Sequence, residues 1–225
     1  MAPINFYYVT PSAPCRAVIF TAKALGVELN MKYLSLFKGH HKTESFAKLN
    51  PHQTVPTIVD DGFILWESRA IQKFLFNKYA NDEMDAIYPK DVRKRAVVDR
   101  YLFFDATVVQ PPIRAVLRAM KFGKRNPTET EKMKLFDTLD KVNELCFKDD
   151  ELFLNGDQAT LADFAMAASI TTLLLLDFNL SRWQGIEKYV RNLMETEWYN
   201  SQGDDFDNAI RDWTEEFKER GLCAN

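Results

Sequence analysis

Glycine-rich phosphate loops, G-x-S-x-G elbows and H-E-x-x-H helices are all missing from this chain of 225 residues. Their absence removes the common nucleotide-binding, serine-hydrolase and zinc-protease readings. Cysteine is scarce: Cys15, Cys146 and Cys223 are odd in number, far apart, and form no C-x-x-C pair. A disulfide framework is therefore excluded. With no signal-like charged and apolar start after Met1, a reducing, cytoplasmic compartment is expected. Histidine is scarce too. His40, His41 and His52 cluster without a cysteine or acidic partner at ligand spacing, so no metal is expected. The longest apolar run, Ile170 to Leu176, is interrupted by Thr171 and Thr172 and ends at Asp177, far short of a membrane span. Neither is there an excess of charge. A net charge of −3 and a pI of about 5.7 argue against nucleic-acid and anionic-membrane partners, and the short basic stretch Lys121 to Arg125 reads as solvated surface.

What remains is an ordinary core-forming composition, 46% hydrophobic and 27% charged, arranged in two contrasting parts. Residues 1–80 alternate in character. A strand-like run, Ile4 to Val9, leads to an amphipathic helix over Ala17 to Leu25. An alternating run from Val27 to Leu34 reads as a second strand, and Glu44 to Leu49 as a short helix. Thr57 to Val59 and Phe63 to Trp66 flank Asp60-Asp61-Gly62, a hairpin-turn signal. A helix from Glu67 to Tyr79 closes the order β-α-β-α-β-β-α, an α/β layer architecture.

Residues 81–91 are polar, contain Pro89 and lack periodicity, and read as a linker. From residue 92 to 225 strand signals vanish and an all-α part is expected. Pro111-Pro112 should kink or break the long helix that starts near Arg93. Thr128 with Glu131, and Thr160 with Asp163, offer capping boxes, the second opening an apolar helix over 161–176. Amphipathic helices are expected near 182–198 and 204–219.

One stretch carries chemistry. Thr10-Pro11-Ser12-Ala13-Pro14-Cys15-Arg16 stands between the first strand and the first helix, with Pro14 at or near the first helical position. The Ser12 hydroxyl is then placed just ahead of a helix N-terminus, whose free N–H groups and dipole favour an anion. In a thioredoxin-like fold this is the place of the C-x-x-C pair, with serine here in the attacking position. Serine cannot form a mixed disulfide, but its hydroxyl can donate a hydrogen bond to another molecule's thiolate. Val55-Pro56 precedes the third strand, where such folds place a cis-proline. Cys15, in the first turn of a helix whose apolar face includes Val18 and Ile19, reads as buried packing.

Taken together, the segments Ser12–Arg16, Ala22–Val27, Asn50–Thr57 and Leu65–Ile71, with Tyr88-Pro89-Lys90-Asp91 and the Thr160–Asp163 cap, resemble a cytosolic glutathione transferase of the serine type, close to the insect delta and epsilon classes. The resemblance covers essentially the whole chain. It implies a thioredoxin-like glutathione-binding domain (1–80), a linker (81–91) and an all-helical domain (92–225) that contributes a hydrophobic substrate site. It implies glutathione as co-substrate, no tightly bound cofactor, a homodimer, and detoxifying transfer to hydrophobic electrophiles. An alternative is a non-catalytic carrier of apolar ligands on the same fold.

The resemblance also assigns residues. Ser12 would hold the glutathione sulfur as thiolate. Lowering a thiol from pKa about 8.5 by two units takes about 2.7 kcal/mol. A charge-assisted hydrogen bond (about 1.5–3 kcal/mol) and a helix terminus (about 0.3–1 kcal/mol) supply that much. Pro14 and the segment Gln53-Thr54-Val55-Pro56 would line the tripeptide. Glu67 would meet its ammonium, and Ser68 and Arg69, at a helix N-terminus, its γ-glutamyl carboxylate. His41 would lie near the glycyl carboxylate. Gln53 stands where the family usually carries a second histidine, and His52 is displaced from it by one position. Gln53 offers a neutral hydrogen bond in place of charge. Phe103 and Thr107 fall on the helix that would face the electrophile, Phe103 in the place of a common tyrosine.

Overall fold

The structure is a computed structural model and describes residues 3–200, apart from 37, 124, 148–150 and 177. Cys223 and the helix expected over 204–219 lie outside the described residues.

The first part is a four-stranded sheet in the order β2-β1-β3-β4, with β1 (Ile4–Tyr8) parallel to β2 (Leu29–Tyr33) and antiparallel to β3 (Thr57–Asp60), which pairs antiparallel with β4 (Phe63–Trp66). Alternation sets the faces: Ile4, Phe6 and Ile58 are buried, and Phe6 pairs directly with Ile58. Asp61 and Gly62 both take positive φ (48° and 81°), as the expected tight hairpin turn requires. Helices α1 (Ala13–Ala24) and α3 (Ser68–Tyr79) pack together on one face, and α2 (Glu44–Leu49) is capped by Thr43, whose hydroxyl oxygen accepts the Phe46 N–H.

The stretch after α3 is a packed connection. It winds into a 3₁₀-helix, Asp82–Ile87, opened by Asn81 accepting the Glu83 N–H at 3.0 Å, and buries Tyr88 edge-on against Phe76. Beyond it the chain is helical: α4 (Val92–Phe104), α5 (Gln110–Leu117), α6 (Glu129–Cys146), α7 (Leu161–Ile170), α8 (Gln184–Met194) and α9 (Glu197–Asn200). Both capping boxes form. Thr128 and Glu131 open α6, while Asp163 accepts the Thr160 N–H and hydroxyl, 2.8 Å each, at α7.

Two expectations are corrected. No break occurs at Pro111-Pro112. The long helix passes through a π-turn, Asp105–Val109, and resumes with both prolines in the first turn of α5, where a missing N–H is tolerated. The apolar helix expected over 161–176 ends at Ile170. There the Thr171 and Thr172 hydroxyls donate to the carbonyls of Ala167 (2.6 Å) and Ala168 (2.9 Å), and Leu174–Leu176 forms a separate 3₁₀ turn.

Every residue of α7 is buried, and α1 lies along it. Buried polar contacts cross between the two parts. The fully buried Arg16 guanidinium donates to Thr171 Oγ1 (2.8 Å), Thr172 Oγ1 (2.6 Å) and the Ala168 carbonyl. Gln72, also fully buried, donates to Thr21 Oγ1 (2.9 Å) and the Leu161 carbonyl (3.2 Å).

Candidate functional site

Sheet register gathers the expected residues. Thr57 pairs with both Tyr7 and Trp66, and Tyr8 pairs with Tyr33. The ends of β1, β2 and β4 and the start of β3 therefore share one edge. From that edge leave the loop to Ser12, the loop through His41, the Thr54–Pro56 segment and the turn into Ser68.

Ser12 is the N-cap of α1. Its backbone is extended (φ −73°, ψ 112°), its N–H donates to the Val9 carbonyl at 3.2 Å, and its Oγ accepts the Cys15 N–H at 3.4 Å. Pro14 stands in the first turn, as expected, and costs no hydrogen bond there. Cys15 is completely buried, and burial pushes its thiol up to about 11 against the opposing pull of the Ser12 hydroxyl, a Val9 backbone hydrogen bond and the Arg16 charge. It is a packing residue. Arg16 behind it is drawn down to about 10, first by burial, yet stays charged at neutral pH.

Asn50 shapes the next segment. Fully buried, it donates through Nδ2 to the Thr54 carbonyl and Thr57 Oγ1, both at 3.0 Å, and accepts the His52 N–H at 2.9 Å. This turn leaves His52 exposed and Gln53 half-buried with φ 55°. The Val55-Pro56 peptide is cis. The Val55 N–H and C=O find no partner among the described residues, so an extended backbone stands open at this edge.

At the start of α3, Glu67 holds φ 71° and its exposed carboxylate has no partner among the described residues. Ser68 behind it is buried, and the first N–H groups of the helix face outward from this end. Arg69 is differently placed from a free anion ligand. Its guanidinium forms an ion pair with the buried Asp105, and its Nε–H donates to the Leu102 carbonyl at 3.3 Å. Burial raises the Asp105 carboxyl and Arg69 opposes that rise. His41 sits in the 3₁₀ turn His40–Lys42, half-buried, with a buried Nδ1 that has no partner among the described residues. Burial, then the charges of Lys42 and His40, lower its pKa.

The helix face expected to meet an electrophile begins with Phe103, 65% exposed under the Lys73 ammonium at 5.8 Å, and Thr107, whose hydroxyl donates to the Phe103 carbonyl. Sequence reasoning missed Asp105 and the two acceptors at the end of α7. A lone acid inside Leu102-Phe103-Phe104-Asp105-Ala106 was the available signal for the first. No group of His, Cys, Asp or Glu among the described residues could hold a metal ion.

These two helix starts and the open backbone beside a cis-proline define a thioredoxin-like ligand site on a two-part fold. Residues 3–77 match the N-terminal domain of glutathione S-transferases and residues 120–197 their C-terminal domain. The chain belongs to the glutathione S-transferase family and is a transferase that uses glutathione. Among solved structures it is similar to a delta-class glutathione transferase of Nilaparvata lugens, at 36% identity over 96% of this chain and 99% of that one (TM-score 0.85). An epsilon-class enzyme of the housefly Musca domestica is 28% identical over 98% and 100% of the two chains (TM-score 0.82). A glutathione transferase homolog of Drosophila mojavensis with bound glutathione is 27% identical over 96% and 98% (TM-score 0.83).

Proposed function

We propose that this enzyme activates glutathione through Ser12 and transfers it to hydrophobic electrophiles, a detoxifying reaction carried out by a cytoplasmic homodimer with no tightly bound cofactor. The observation that carries this reading is the pairing of a serine N-cap with the unpaired Val55 backbone on one sheet edge. An extended tripeptide can bond Val55 from both sides and bring its sulfur to Ser12. Thr54 and the flanking Pro14 and Pro56 frame it.

The Ser12 hydroxyl donates to the sulfur, and the thiol proton leaves to water. The thiolate lone pair then forms a carbon–sulfur bond while the leaving group departs with its bonding electrons. No acid–base pair is required. The γ-glutamyl carboxylate is met by Ser68 and the α3 N-terminus, with Arg69 behind them, and the ammonium by Glu67. The glycyl carboxylate is met by His41 and by the half-buried Gln53, with His52 on the rim. Phe103 and Thr107 face the electrophile. The exposed Phe63, packed on Phe74, offers an apolar contact for a second subunit.

The test is the ultraviolet thiolate absorbance of bound glutathione as a function of pH. In the wild type the bound thiol should ionise about two pH units below the free one, and in Ser12→Ala it should return close to 8.5, with turnover falling about 10- to 100-fold. An unshifted thiol in the wild type sinks the mechanism and favours a carrier.

A further inference from the structure

Asparagine is among the thermally labile residues, and in this chain it is followed by glycine once, at Asn155-Gly156. The pair sits in the turn that leads towards α7. Phe153 and Gly156 face each other across that turn, and the Phe153 N–H donates to the Gly156 carbonyl at 2.9 Å. Phe153 and Leu154 are buried, whereas Asn155 is exposed.

The turn leaves both reacting groups of such a pair open. The Asn155 side chain has no hydrogen-bond partner among the described residues, and neither has the Gly156 N–H. By contrast, the side-chain amides of Asn50, Asn81, Asn143 and Asn179 are all engaged in hydrogen bonds within the chain. Gly156 holds φ 109°, a conformation that suits glycine, and a Cβ built there would meet nothing within 4 Å. The space beside Gly156 is open, and no bond pins the amide next to it.

The same turn is tied to the centre of the helical part. The Leu154 N–H donates to Asp163 Oδ1 at 2.9 Å, and Oδ2 of that buried carboxylate accepts the Thr160 N–H and hydroxyl that open α7. From α8, Asn192 donates to the Leu152 carbonyl at 3.2 Å. A change in backbone length at Asn155 therefore falls next to a contact that fixes a wholly buried helix.

We propose that Asn155 is a site of spontaneous deamidation in the folded protein, and that its isoaspartate product loosens the Leu154–Asp163 contact. The Gly156 nitrogen loses its proton to hydroxide, and its lone pair forms a bond to Asn155 Cγ. The Cγ–Nδ2 bond breaks and ammonia departs, taking a proton from water. Water then opens the cyclic imide. Cleavage between the nitrogen and Cγ gives aspartate. Cleavage at the main-chain carbonyl carbon gives isoaspartate, whose backbone runs through Cγ and is longer by a carbon. Either product carries a new negative charge beside Asp157. The site does not depend on Ser12 or on the thiolate mechanism.

Storage of the purified full chain at physiological temperature, followed by peptide mapping, tests it. Asn155 should convert before any other asparagine, into both aspartate and isoaspartate. Anion exchange separates the converted protein by its added charge. The isoaspartate-bearing fraction should melt about 2–4 °C below fresh protein, the shift of about one weakened buried hydrogen bond in a chain of this size. Asn155→Gln keeps an amide but would have to close a larger, slower ring; stored alongside, it should keep its fresh melting temperature. Asn155 intact in the native chain, while the same pair converts in urea, would show that the fold protects it and would overturn the proposal. Conversion of another asparagine first would do the same. An isoaspartate-bearing fraction that melts like fresh protein would overturn the loosening of the α7 cap.

Discussion

The guanidinium of Arg69, in the first turn of α3, is ion-paired across the seam between the two parts with Asp105, a carboxylate with no solvent exposure. The Arg69 side chain is itself 21% exposed, so the pair is largely shielded from water. Removing one partner of such a pair leaves the other buried and alone, which costs about 3–5 kcal/mol. Arg69→Gln should therefore lower stability by about that amount in chemical denaturation. Adding Asp105→Asn to Arg69→Gln should recover part of the loss, because the stranded charge is gone. A double variant no more stable than the single one would show that the pair is not what Arg69 contributes.

Asp163 supplies a pH signature. Burial raises its carboxyl to about 6 from an ordinary value of 3.8, although Leu154, Thr160 and Tyr189 all hydrogen-bond to it. Between those two values the folded chain holds a proton that the unfolded chain has released. The group's stabilising contribution is thus fully present below about pH 3.8 and is lost as pH rises through 6, a change of about 3 kcal/mol. Urea midpoints of the wild type minus those of Asp163→Asn should show that decline. The variant is less stable throughout, since an amide nitrogen cannot accept from Thr160. A flat difference curve between pH 4 and 6 would contradict the assignment.

Cys15 should be chemically silent. A thiol at about 11 carries a thiolate fraction at pH 8 about two to three orders of magnitude smaller than that of an ordinary thiol. Iodoacetamide should leave position 15 unlabelled in the native chain and label it after denaturation, as read by peptide mapping. Cys15→Ala should retain conjugating activity. Fast native labelling at this position, or loss of activity in a Cys15→Ala chain that melts like the wild type, would show that Cys15 does more than pack.

Much of the fold was legible because it rests on local patterns. Alternation marked the strands, Asp61-Gly62 marked the hairpin, and Thr128 and Thr160 marked helix starts through side chains three residues away. The Ser12 site was legible for the same reason, since an N-cap is a short-range device. Contacts made over long separations were not. Arg16 finds its acceptors 152 to 156 residues later, and Arg69 finds Asp105 36 residues on. No periodicity encodes such pairs. The π-turn was hidden for another reason: Pro111-Pro112 announces that a hydrogen-bond ladder must change, without saying whether the helix breaks or widens.

The buried Arg16 has a consequence for recombination. Three acceptors, Thr171, Thr172 and the Ala168 carbonyl, come to it from the far end of α7. A chimera joining residues 1–80 to the helical half of a relative therefore inherits a guanidinium behind the Ser12 turn that the new half must accommodate. Hydroxyls at the positions of Thr171 and Thr172 decide whether such a graft is compatible. A graft that carries residues 161–172 along with residues 1–80 keeps the guanidinium and its acceptors together.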